Sequence, residues 1–375
     1  MRVGLVVTGG VDRSGRERVI PALLRLIERL ARIHELHVFA LHHEMTPSVY
    51  PLLGATVHDL GRVTAPAGLR RFLQRRRLRR AIAAVGGVDV LHGWWGLPGA
   101  AAVAVARRLH VPAIVTADSG EWVSLPEIGY GLQRRRRDRR AVAAAMRGAA
   151  AVTVSTLFMQ RLAAAHGVIA RVIPVGVPRV FGPDGRDAVP ATAPEGPPWR
   201  LMHVASINPV KDHDTLLAAM AIVVQHDPRV HLDIVGADTS GGRIARRAAS
   251  LGLQSHVTFH GFLPSDEIQP MWSRAHLHVV SSRHEAGGIV ILEAAMAGVP
   301  TVGTRVGHLA DGEPHRAMAV PPGDHQALAG AILSLLDDPI RRSVLASTAR
   351  TWALAHDADS TASAFDQLYR DVTNA

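Results

Sequence analysis

The sequence of 375 residues contains no cysteine, which excludes disulfides, thiolate metal sites and cysteine nucleophiles and suits a reducing cytoplasm. It also contains no apolar run of the ~18 residues that cross a membrane. No cleavage site follows the first apolar strand, so we predict no signal peptide. Aromatic residues make up only 4% of the chain, and no nucleic-acid reader motif is present. We therefore predict a cytoplasmic protein that does not bind nucleic acid.

Two common ligand motifs are missing as well. The loop after the first strand contains Gly9 and Gly10 but no G-x-G-x-x-G, which argues against a dinucleotide cofactor. No H-E-x-x-H occurs, and the 21 histidines show no metal-ligand spacing. A D-x-D pair, Asp212 and Asp214, stands directly before a helical pattern, where aspartate is a good N-cap. We therefore expect neither a metal nor a cofactor.

Positive charge is plentiful, and the formal net charge is +10. The densest arginine runs are GLRRFLQRRRLRR (Gly68–Arg80) and GLQRRRRDRR (Gly131–Arg140). Each run has two interpretations: a solvated helix face, or a surface that attracts anionic lipid or other phosphates. The first run also carries apolar residues at roughly helical spacing, namely Leu69, Phe72, Leu73 and Leu78. One of the two alternatives is therefore peripheral association with the inner face of the cell membrane.

Short β-branched runs alternate with helical patterns, which is typical of a parallel sheet covered by helices on both faces. Strands are predicted at 2–8, 37–41, 88–92, 113–117, 151–155 and 171–174, and then at 200–206, 230–235, 256–260, 277–281 and 301–304. Helices are predicted between them, for example at 15–33 and 98–109. The chain ends in further helical patterns at 324–336, 339–355 and 360–372.

The alternation breaks once, in a Pro- and Gly-rich stretch at 179–199 that we interpret as an interdomain linker. A chain of this length also exceeds what one hydrophobic core usually supports. We predict an α/β fold of two doubly wound Rossmann-like domains, at 1–178 and 200–357. A final helix at 358–375 is expected to pack back on the first domain. Ligands of such sheets bind at the carboxyl ends of the strands, so we expect the domains to face a cleft.

The most informative stretch, SSRHEAGGIVILEAAMAGVPTVGT (281–304), begins at the end of a predicted strand. A glycine pair ending at Gly288 precedes an apolar helical pattern, and Gly298 with a following proline ends it. The N-terminus of a helix at this edge favours a phosphate or diphosphate. The carboxylates of Glu285 and Glu293 can accept hydrogen bonds from sugar hydroxyls. An anion flanked by hydroxyl groups describes a nucleotide sugar.

These residues resemble the signature of the family 4 retaining glycosyltransferases (group 1), whose GT-B fold has two Rossmann-like domains. The family pattern E-G-F-G-L-x-x-x-E-A-M-A-x-G-x-P-V is similar to EAGGIVILEAAMAGVPT, except that Gly287 stands where an aromatic residue is usual. The stretch VPPGDHQALAGAIL (Val320–Leu333) resembles the family's later V-P-P-G-D-x-x-A-L-A. The stretch RVIPVGV (Arg171–Val177) resembles V-I-P-N-G-V, with Val175 in place of asparagine. The resemblance covers nearly the whole chain.

The resemblance implies which residues hold the donor. In the family the first signature glutamate contacts the donor sugar and the second binds the ribose. The family's G-R-x-x-x-x-K holds the diphosphate; here Lys211 matches the lysine, but Ser206 stands at the arginine position. Arg283 and Arg305 are candidates for the missing cation. The predicted donor-binding residues are Ser206, Lys211, Glu285, Gly287, Gly288, Ile289 and Glu293, and the predicted catalytic residues are Glu285 and Lys211.

The N-terminal domain is expected to supply the acceptor side. In the family the glycine loop after the first strand, which here contains Gly10, lines the cleft opposite the donor. Further candidates follow the predicted strands at their carboxyl ends: His92, Trp94, Asp118 and Glu121. Trp94 has two interpretations, a stacking surface for a sugar or a core residue. In the family a histidine often stands where this chain has Ala117.

The sequence therefore predicts a metal-independent retaining glycosyltransferase. It would move a hexose-type sugar from a nucleoside-diphosphate sugar to a hydroxyl of a glycan, a glycolipid or a small molecule. In the family the leaving phosphate is thought to take the acceptor's proton, so we assign no general base. Two alternatives remain open: a catalytically impaired relative that binds nucleotide sugars or carbohydrates, and a sugar-nucleotide epimerase of the same fold. The first is suggested by the departures at Ser206, Gly287, Val175 and Ala117.

Overall fold

The computed structural model describes residues 1–179 and 196–374, with the backbone alone for Ala67 and Gly68. Contacts divide the chain into two compact units. The N-terminal unit comprises Met1–Pro178 and Ala358–Ala375, and the C-terminal unit comprises Arg179–Asp357. Each unit is built on a mainly parallel sheet, so the predicted fold class of two Rossmann-like domains is confirmed. The predicted linker at 179–199 lies largely outside the described residues.

The N-terminal unit contains an eight-stranded sheet of order β3-β4-β2-β1-β5-β6-β7-β8. Its strands are β1 (Arg2–Val7), β2 (Glu35–Ala40), β3 (Ser48–Leu52), β4 (Ala55–Asp59), β5 (Val90–Trp94), β6 (Ala113–Thr116), β7 (Ala151–Val154) and β8 (Arg171–Val172). The edge strand β3 runs antiparallel to β4, and the sequence did not predict this pair. Pro51 explains the omission for β3, because a proline is tolerated at a sheet edge but argues against a strand in sequence patterns.

Five helices of the N-terminal unit connect these strands: α1 (Pro21–Leu30), α2 (Ala67–Ala84), α3 (Gly96–Leu109), α4 (Arg136–Gly148) and α5 (Leu157–Ala165). The predicted helix at 15–33 was too long, because α1 begins only at Pro21. The residues before it form a loop closed by a bridge between Val11 and Val19. Gly15 adopts a φ of +64° in that loop, which a right-handed helix does not allow.

The C-terminal unit contains a six-stranded parallel sheet of order β11-β10-β9-β12-β13-β14. Its strands are β9 (Trp199–Val204), β10 (Val230–Val235), β11 (Val257–Gly261), β12 (Leu277–Val280), β13 (Thr301–Thr304) and β14 (Ala317–Val320). Its helices are α6 (His213–His226), α7 (Arg243–Ser250), α8 (Ser265–Trp272), α9 (Ile289–Met296), α10 (Gly307–Gly312), α11 (His325–Asp337) and α12 (Pro339–Ala355). Strand order reverses between β9 and β12, which places the expected ligand edge there.

The core of the C-terminal unit explains why these short strands form. Every residue of β12 is buried, as expected for a parallel strand covered on both faces. Leu201 of β9 and Leu277 of β12 are fully buried beside apolar residues of α6 and α11. The prediction missed only β14, a four-residue strand whose sequence AMAV carries little β-branching.

The last helix, α13 (Ala358–Thr373), packs on α1 and belongs to the N-terminal unit. Phe365 and Tyr369 are fully buried there. The backbone N–H of Ala358 donates to the carbonyl of Val177 at 3.1 Å. This bond connects the start of α13 to the end of the first stretch of the N-terminal unit, Met1–Pro178. The helix therefore completes the core of the N-terminal unit. Among the described residues, no helix combines the length and the apolar character that crossing a bilayer requires.

Candidate active site

Three loops meet at the carboxyl edge of the C-terminal sheet. They follow β9, β12 and β13, the strands beside the reversal of strand order. The backbone N–H of Arg283 donates to the carbonyl of Val210 at 2.7 Å, which joins the loops after β12 and β9. The backbone N–H of His308, at the start of α10 after β13, donates to the carbonyl of Gly287 in the loop after β12 at 2.9 Å. The site is therefore built by backbone hydrogen bonds between neighbouring strand ends.

Buried hydroxyls add further links between the same loops. The Ser281 hydroxyl donates to the carbonyl of Lys211 at 2.7 Å. The Thr304 hydroxyl donates to the carbonyl of Ser282 at 2.7 Å. All three hydroxyl-bearing residues, Ser281, Ser282 and Thr304, are buried. Because a buried hydrogen bond is costly to break, these links fix the positions of Lys211 and of the residue that it faces.

That residue is Glu285. The Lys211 ammonium nitrogen Nζ lies 2.5 Å from Glu285 Oε1, and the Ser282 hydroxyl donates to the same oxygen at 2.6 Å. The two side chains are 24% and 13% exposed, so the pair is shielded from solvent but can still be reached by a ligand. The structure therefore brings together the two residues that the sequence predicted to be catalytic.

The environment of Glu285 sets its charge. Burial opposes ionisation of this carboxyl, but the Lys211 ammonium and the hydrogen bonds from Lys211 and Ser282 outweigh it, so the pKa of Glu285 lies below its usual value. Glu285 is thus a carboxylate at neutral pH. The site holds one positive and one negative group in direct contact.

Helix α9 begins beside this pair. Its N-cap residue Gly288 has a φ of +82° and carries no side chain to cap the helix. A Cβ atom at Gly288 would lie 2.7 Å from Ile291 Cδ1, so the Ile291 side chain would have to shift, and the positive φ by itself favours glycine. The first amides of a helix lack intrahelical partners, and they favour an anion. The helix ends at Met296, and Gly298 has a φ of +72°, as the sequence predicted.

The remaining predicted donor residues surround the start of α9 or follow β9. Ile289 is the first residue of α9 and is half-buried, and Glu293 lies one turn further on, also half-buried. The carbonyl of Gly287 accepts the hydrogen bond from His308 at the start of α10, described above. Ser206 follows β9 and is exposed. Their roles in donor binding stay predictions.

The two candidates for the missing cation differ in their contacts. Arg305 follows β13, and its guanidinium donates to both carboxylate oxygens of Glu313, at 2.6 and 3.1 Å. Arg283 lies in the same loop as Glu285, and its guanidinium contacts the carboxylate of Asp212. Each arginine is therefore already paired with an acidic side chain.

In the D-x-D pair at the start of α6, Asp212 has the capping role predicted for the pair, and Asp214 forms an ion pair. Asp212 is the N-cap of α6 and accepts from the backbone N–H of Thr215 at 3.3 Å and from the Thr215 hydroxyl at 2.8 Å. Asp214 forms a bidentate pair with Arg243, at 3.0 and 2.8 Å. Asp212 also has a positive φ of 48°, a conformation that aspartate tolerates better than most residues.

Two buried histidines beneath the site were not predicted. The rings of His203 on β9 and His213 on α6 lie 4.8 Å apart. The pKa of His203 is lowered to about 4 and that of His213 to about 2, mainly by burial, and the Lys211 ammonium acts in the same direction on both. Both imidazoles are therefore neutral at neutral pH. They add no positive charge that would replace the arginine absent at Ser206.

On the acceptor side, two predicted residues lie inside the N-terminal unit. His92 is fully buried and bonds to the Tyr369 hydroxyl and to the Thr116 hydroxyl, both at 2.7 Å. Trp94 is 3% exposed and packs against His92 and Phe365. For Trp94 the core interpretation fits this placement. The contacts of His92 are those of a satisfied core histidine, and its partner on α13 could not be predicted from the spacing of the sequence.

Glu121, Asp118 and Gly10 also make contacts within the N-terminal unit. Glu121 is fully buried and accepts from the backbone N–H groups of Gly96 and Ser119, at 2.9 and 2.8 Å. Burial raises the pKa of Glu121, although these hydrogen bonds oppose the rise. Asp118 is half-buried and accepts from the Ser155 hydroxyl at 2.5 Å. Gly10 has a φ of +82° and is partly exposed. Their acceptor roles stay predictions.

Sequence reasoning missed the three hydroxyl-bearing residues that link the loops of the candidate site, Ser281, Ser282 and Thr304. Each lies within two residues of a strand end that the sequence did place correctly. The sequence pattern that could have indicated them is a polar residue directly after a buried strand, because the carboxyl ends of parallel strands meet at one edge of the sheet. Pairing between particular hydroxyls and carbonyls could not be read from that pattern.

Comparison with known proteins identifies the family. The family model described as "Glycosyltransferase Family 4" matches residues 21–181, and the model described as "Glycosyl transferases group 1" matches residues 187–352. The chain belongs to the group 1 glycosyltransferases of family 4. Between them the two matches take in most of both units.

Relatives of this family 4 protein are named as glycosyltransferases. The chain is 28% identical over 325 residues to a D-inositol 3-phosphate glycosyltransferase of Segniliparus rotundus, a match that spans 80% of this chain and 71% of the relative. Other relatives of the same name align over 44% and 43% of their own length. These similarities support transferase activity and leave the donor and acceptor open.

Two solved structures share the fold. A sucrose-phosphate synthase from Thermosynechococcus elongatus superposes with a TM-score of 0.80 at 23% identity, covering 99% of this chain and 98% of the other. HepE of Anabaena, crystallised with UDP-glucose, superposes with a TM-score of 0.70 at 18% identity, covering 99% of this chain and all of the other. Both show the GT-B fold.

Proposed function

We propose that the protein transfers a hexose-type sugar, with retention, from a nucleoside-diphosphate sugar to a hydroxyl acceptor. The observation that carries this proposal is the Lys211–Glu285 pair, 2.5 Å apart at the carboxyl edge beside the uncapped start of α9. A cation and helix amides suit a diphosphate, and a carboxylate suits sugar hydroxyls. The structure of HepE with UDP-glucose supports a nucleotide-sugar donor for this fold.

In the proposed reaction, the Lys211 ammonium and the amides near Gly288 stabilise the charge that develops on the departing diphosphate. Glu285 lies beside the sugar carbon that becomes cationic, and its depressed pKa keeps it charged for that role. Glu293, further along α9, receives the ribose hydroxyls. The departing phosphate accepts the proton of the attacking hydroxyl. No metal is required at the diphosphate, because Asp212 and Asp214 are occupied by the start of α6 and by Arg243.

The first experiment is a calorimetric panel of UDP-, GDP- and ADP-sugars on the wild type and on Glu293→Ala. Glu267→Ala is the matched control, since Glu267 is an exposed glutamate on α8 of the same unit. We expect one donor to bind the wild type and the control alike. It should bind Glu293→Ala at least about tenfold more weakly, because this variant loses a charged hydrogen-bonding group.

The same panel separates the alternatives. If addition of a hydroxyl acceptor releases the nucleoside diphosphate, and EDTA does not change this release, the result supports metal-independent transfer. Donor binding without release for any acceptor favours the impaired binding protein. Conversion of the donor into its epimer without an acceptor favours the epimerase. If no nucleotide sugar binds the wild type, the proposed function is rejected.

The arginine runs support a second proposal, peripheral association with an anionic membrane. Helices α2 and α4 both pack on α3, so the two runs belong to neighbouring helices. Helix α2 carries seven arginines and no acidic residue, and α4 carries five arginines and one aspartate. The pKa of Arg75 is lowered by burial and by the charges of Arg71 and Arg108. Such mutual repulsion of like charges would be relieved by an anionic surface.

Apolar residues on α2 divide between the core and the surface. Leu78 and Ile82 are fully buried, so they belong to the core and cannot face a membrane. Phe72 and Leu69 are 57% and 51% exposed beside the arginines. An exposed apolar pair beside a basic surface suits the headgroup region of a bilayer.

Flotation with liposomes tests this association. We expect the wild type to float with phosphatidylglycerol vesicles and not with phosphatidylcholine vesicles. The triple variant Arg76→Gln, Arg79→Gln, Arg80→Gln should lose this preference. The control changes Arg246 and Arg247, exposed on α7 of the C-terminal unit, to glutamine and should float like the wild type. Equal flotation of the wild type with both lipids would remove the proposal.

A further inference from the structure

The N-terminal unit carries a polar cluster that the sequence predictions did not include. Asp12, Arg18, His43 and Glu44, here the Asp12 cluster, lie in the loops that follow β1 and β2. These strands are parallel neighbours, so the cluster lies at the carboxyl edge of the sheet, where ligands of α/β folds bind. Of the predicted acceptor residues, His92, Trp94 and Glu121 are buried within the same unit, whereas Asp118 and Gly10 are partly exposed.

The carboxylates of the cluster are held in place and charged. Asp12 accepts from the backbone N–H of Ser14 at 2.9 Å. This bond, opposed by burial and helped by Arg18, lowers the pKa of Asp12 to about 2. The backbone N–H of Glu44 donates to the buried carboxylate of Asp59 at 2.9 Å. The hydrogen bond from Arg18 also lowers the pKa of Glu44, so both carboxylates are ionised at neutral pH, and bonds from main-chain N–H groups to carboxylates hold the two loops.

A buried, unpartnered imidazole nitrogen faces these carboxylates. The His43 side chain is 7% exposed, and its Nε2 has no hydrogen-bond partner. Nε2 lies 3.6 Å from Asp12 Oδ2 and 3.8 Å from Glu44 Oε1, too far for a direct hydrogen bond. A Cβ at Gly9 would lie 3.1 Å from His43 Nδ1, so the glycine loop packs closely on this ring. Buried polar atoms are nearly always satisfied, and this one points at the space between the two carboxylates.

Arg18 covers that space. Its guanidinium contacts Asp12 and donates to Glu44 Oε1 at 2.7 Å. Unlike the residues beneath it, the Arg18 side chain is 59% exposed. Rotation of Arg18 toward solvent uncovers two carboxylates and an imidazole, while its N–H groups remain within reach as donors.

We propose that the Asp12 cluster binds an uncharged, hydroxyl-rich group of the acceptor. A hydroxyl both donates and accepts, so it can donate to Asp12 or Glu44 and accept from Arg18. Apart from His43, the cluster carries two negative charges and one positive charge, which disfavours a phosphate at this position. The proposal rests on the proposed transferase function and adds where the acceptor binds and which chemistry is recognised there.

A divalent cation is the competing ligand. Oxygen and nitrogen atoms of Asp12, His43 and Glu44 lie within 4.8 Å of one another, a spacing that a metal ion tolerates. The positive charge of Arg18 already lies between the two carboxylates, and a cation would have to expel it. Replacement of Arg18 by a neutral residue therefore has opposite effects on the two ligands, weakening a polyol and strengthening a cation.

The test measures donor turnover with glycerol, myo-inositol and glucose as acceptors, each beside its monophosphate. The variants are Asp12→Asn, which keeps the acceptor for the Ser14 amide, Glu44→Gln and Arg18→Gln. Glu28→Gln is the control, because Glu28 forms an exposed pair with Arg32 on the same unit. We expect each cluster variant to raise the KM of the best uncharged acceptor at least about tenfold, the loss of one charged hydrogen bond. The KM for the donor and the Tm should stay at the values of the control.

Each outcome decides the proposal. Unchanged acceptor KM in all three variants overturns it, as does a preference for the monophosphates that the variants leave intact. If Arg18→Gln binds Zn²⁺ or Mn²⁺ more tightly than the wild type and its turnover depends on that metal, the ligand of the Asp12 cluster is a cation and the polyol proposal is rejected. If the wild type turns over no donor, the proposed function fails on its own. Saturation-transfer NMR with the same three polyols then decides this proposal by itself: a signal lost in Glu44→Gln supports it, and no signal in the wild type rejects it.

Discussion

Lys211 Nζ and Glu285 Oε1 lie 2.5 Å apart although 74 residues separate them in the chain. The contact joins the loop after β9 to the loop after β12, on the two strands that flank the reversal of strand order. The Ser282 hydroxyl also donates to Glu285 Oε1 and so supports this contact. A diphosphate that binds Lys211 therefore also changes the environment of Glu285.

Replacement of Lys211 by methionine should affect both binding and turnover. We expect the donor to bind about 10- to 150-fold more weakly, since a hydrogen bond to a charged group contributes about 1.5–3 kcal/mol. Turnover should fall by a further factor of about 100, because the developing charge on the diphosphate loses its cation. The pKa of Glu285 should rise, because burial is no longer opposed by the ammonium. Calorimetry and single-turnover kinetics measure the first two effects.

Arg243→Gln is the control for Lys211→Met. It removes an exposed ion pair with Asp214 at the start of α6 and should change neither quantity more than about twofold. Equal donor binding by Lys211→Met and by this control would contradict the role assigned to the ammonium.

The stability of the protein should depend on pH through Glu285. Its pKa in the folded state lies below the usual value of 4.5, so the carboxylate stabilises the fold above that pH. This contribution is lost as the pH falls through the lower folded pKa. We expect the Tm difference between the wild type and Glu285→Gln to be constant from pH 7 to about 5 and to shrink below that range. A difference that grows on acidification would show that the folded pKa is raised instead.

An arginine at position 206 should increase the affinity of the protein for the diphosphate. Ser206 is exposed at the end of β9, at the position where the family has its second phosphate-binding cation. We expect Ser206→Arg to bind a nucleoside diphosphate about tenfold more tightly and the free nucleoside with unchanged affinity, because only the diphosphate meets the new charge. The control, Ser250→Arg, adds the same charge at an exposed site at the end of α7. Equal gains in both variants would point to net charge alone.

Two glycine-to-alanine changes should have opposite effects on stability. Gly288→Ala places a Cβ 2.7 Å from Ile291 Cδ1 at a φ of +82°, and should cost about 1–2 kcal/mol of unfolding free energy. Gly330→Ala lies inside α11, where a Cβ meets nothing within 4 Å, and should gain about 0.5–1 kcal/mol. Urea unfolding measures both changes. Donor binding should weaken only in Gly288→Ala, and a stable variant with full donor affinity would show that the helix start tolerates a side chain.

Much of the fold was predictable because its signals are local. The strand at 277–280 is a short apolar run, and Gly288 and Gly298 mark the limits of α9. Asp212 of the D-x-D pair was assigned correctly as a helix cap, since capping depends on residues three positions apart. Elements that depend on distant packing were missed or misplaced, such as the edge strand with Pro51 and the late start of α1 at Pro21.

The candidate site divides in the same way. Lys211 and Glu285 could be found because each lies in a motif of fixed spacing, and parallel strands bring their loops to one edge. His92 could not be assigned from its strand end, since its partner Tyr369 lies 277 residues away on α13. The pairing of Arg283 with Asp212 and of Arg305 with Glu313 also depends on side-chain directions that spacing does not determine.

Lys211 is also the only lysine in the 375 residues. An amine-directed acylating reagent therefore has a single side-chain target, besides the α-amino group, and that target lies in the candidate active site. Acylation requires an accessible amine nitrogen, and in the ion pair this nitrogen is held against Glu285 Oε1. The rate of acylation of Lys211 can be followed by mass spectrometry of the intact chain. That rate would report whether the ion pair is closed or a ligand covers the amine.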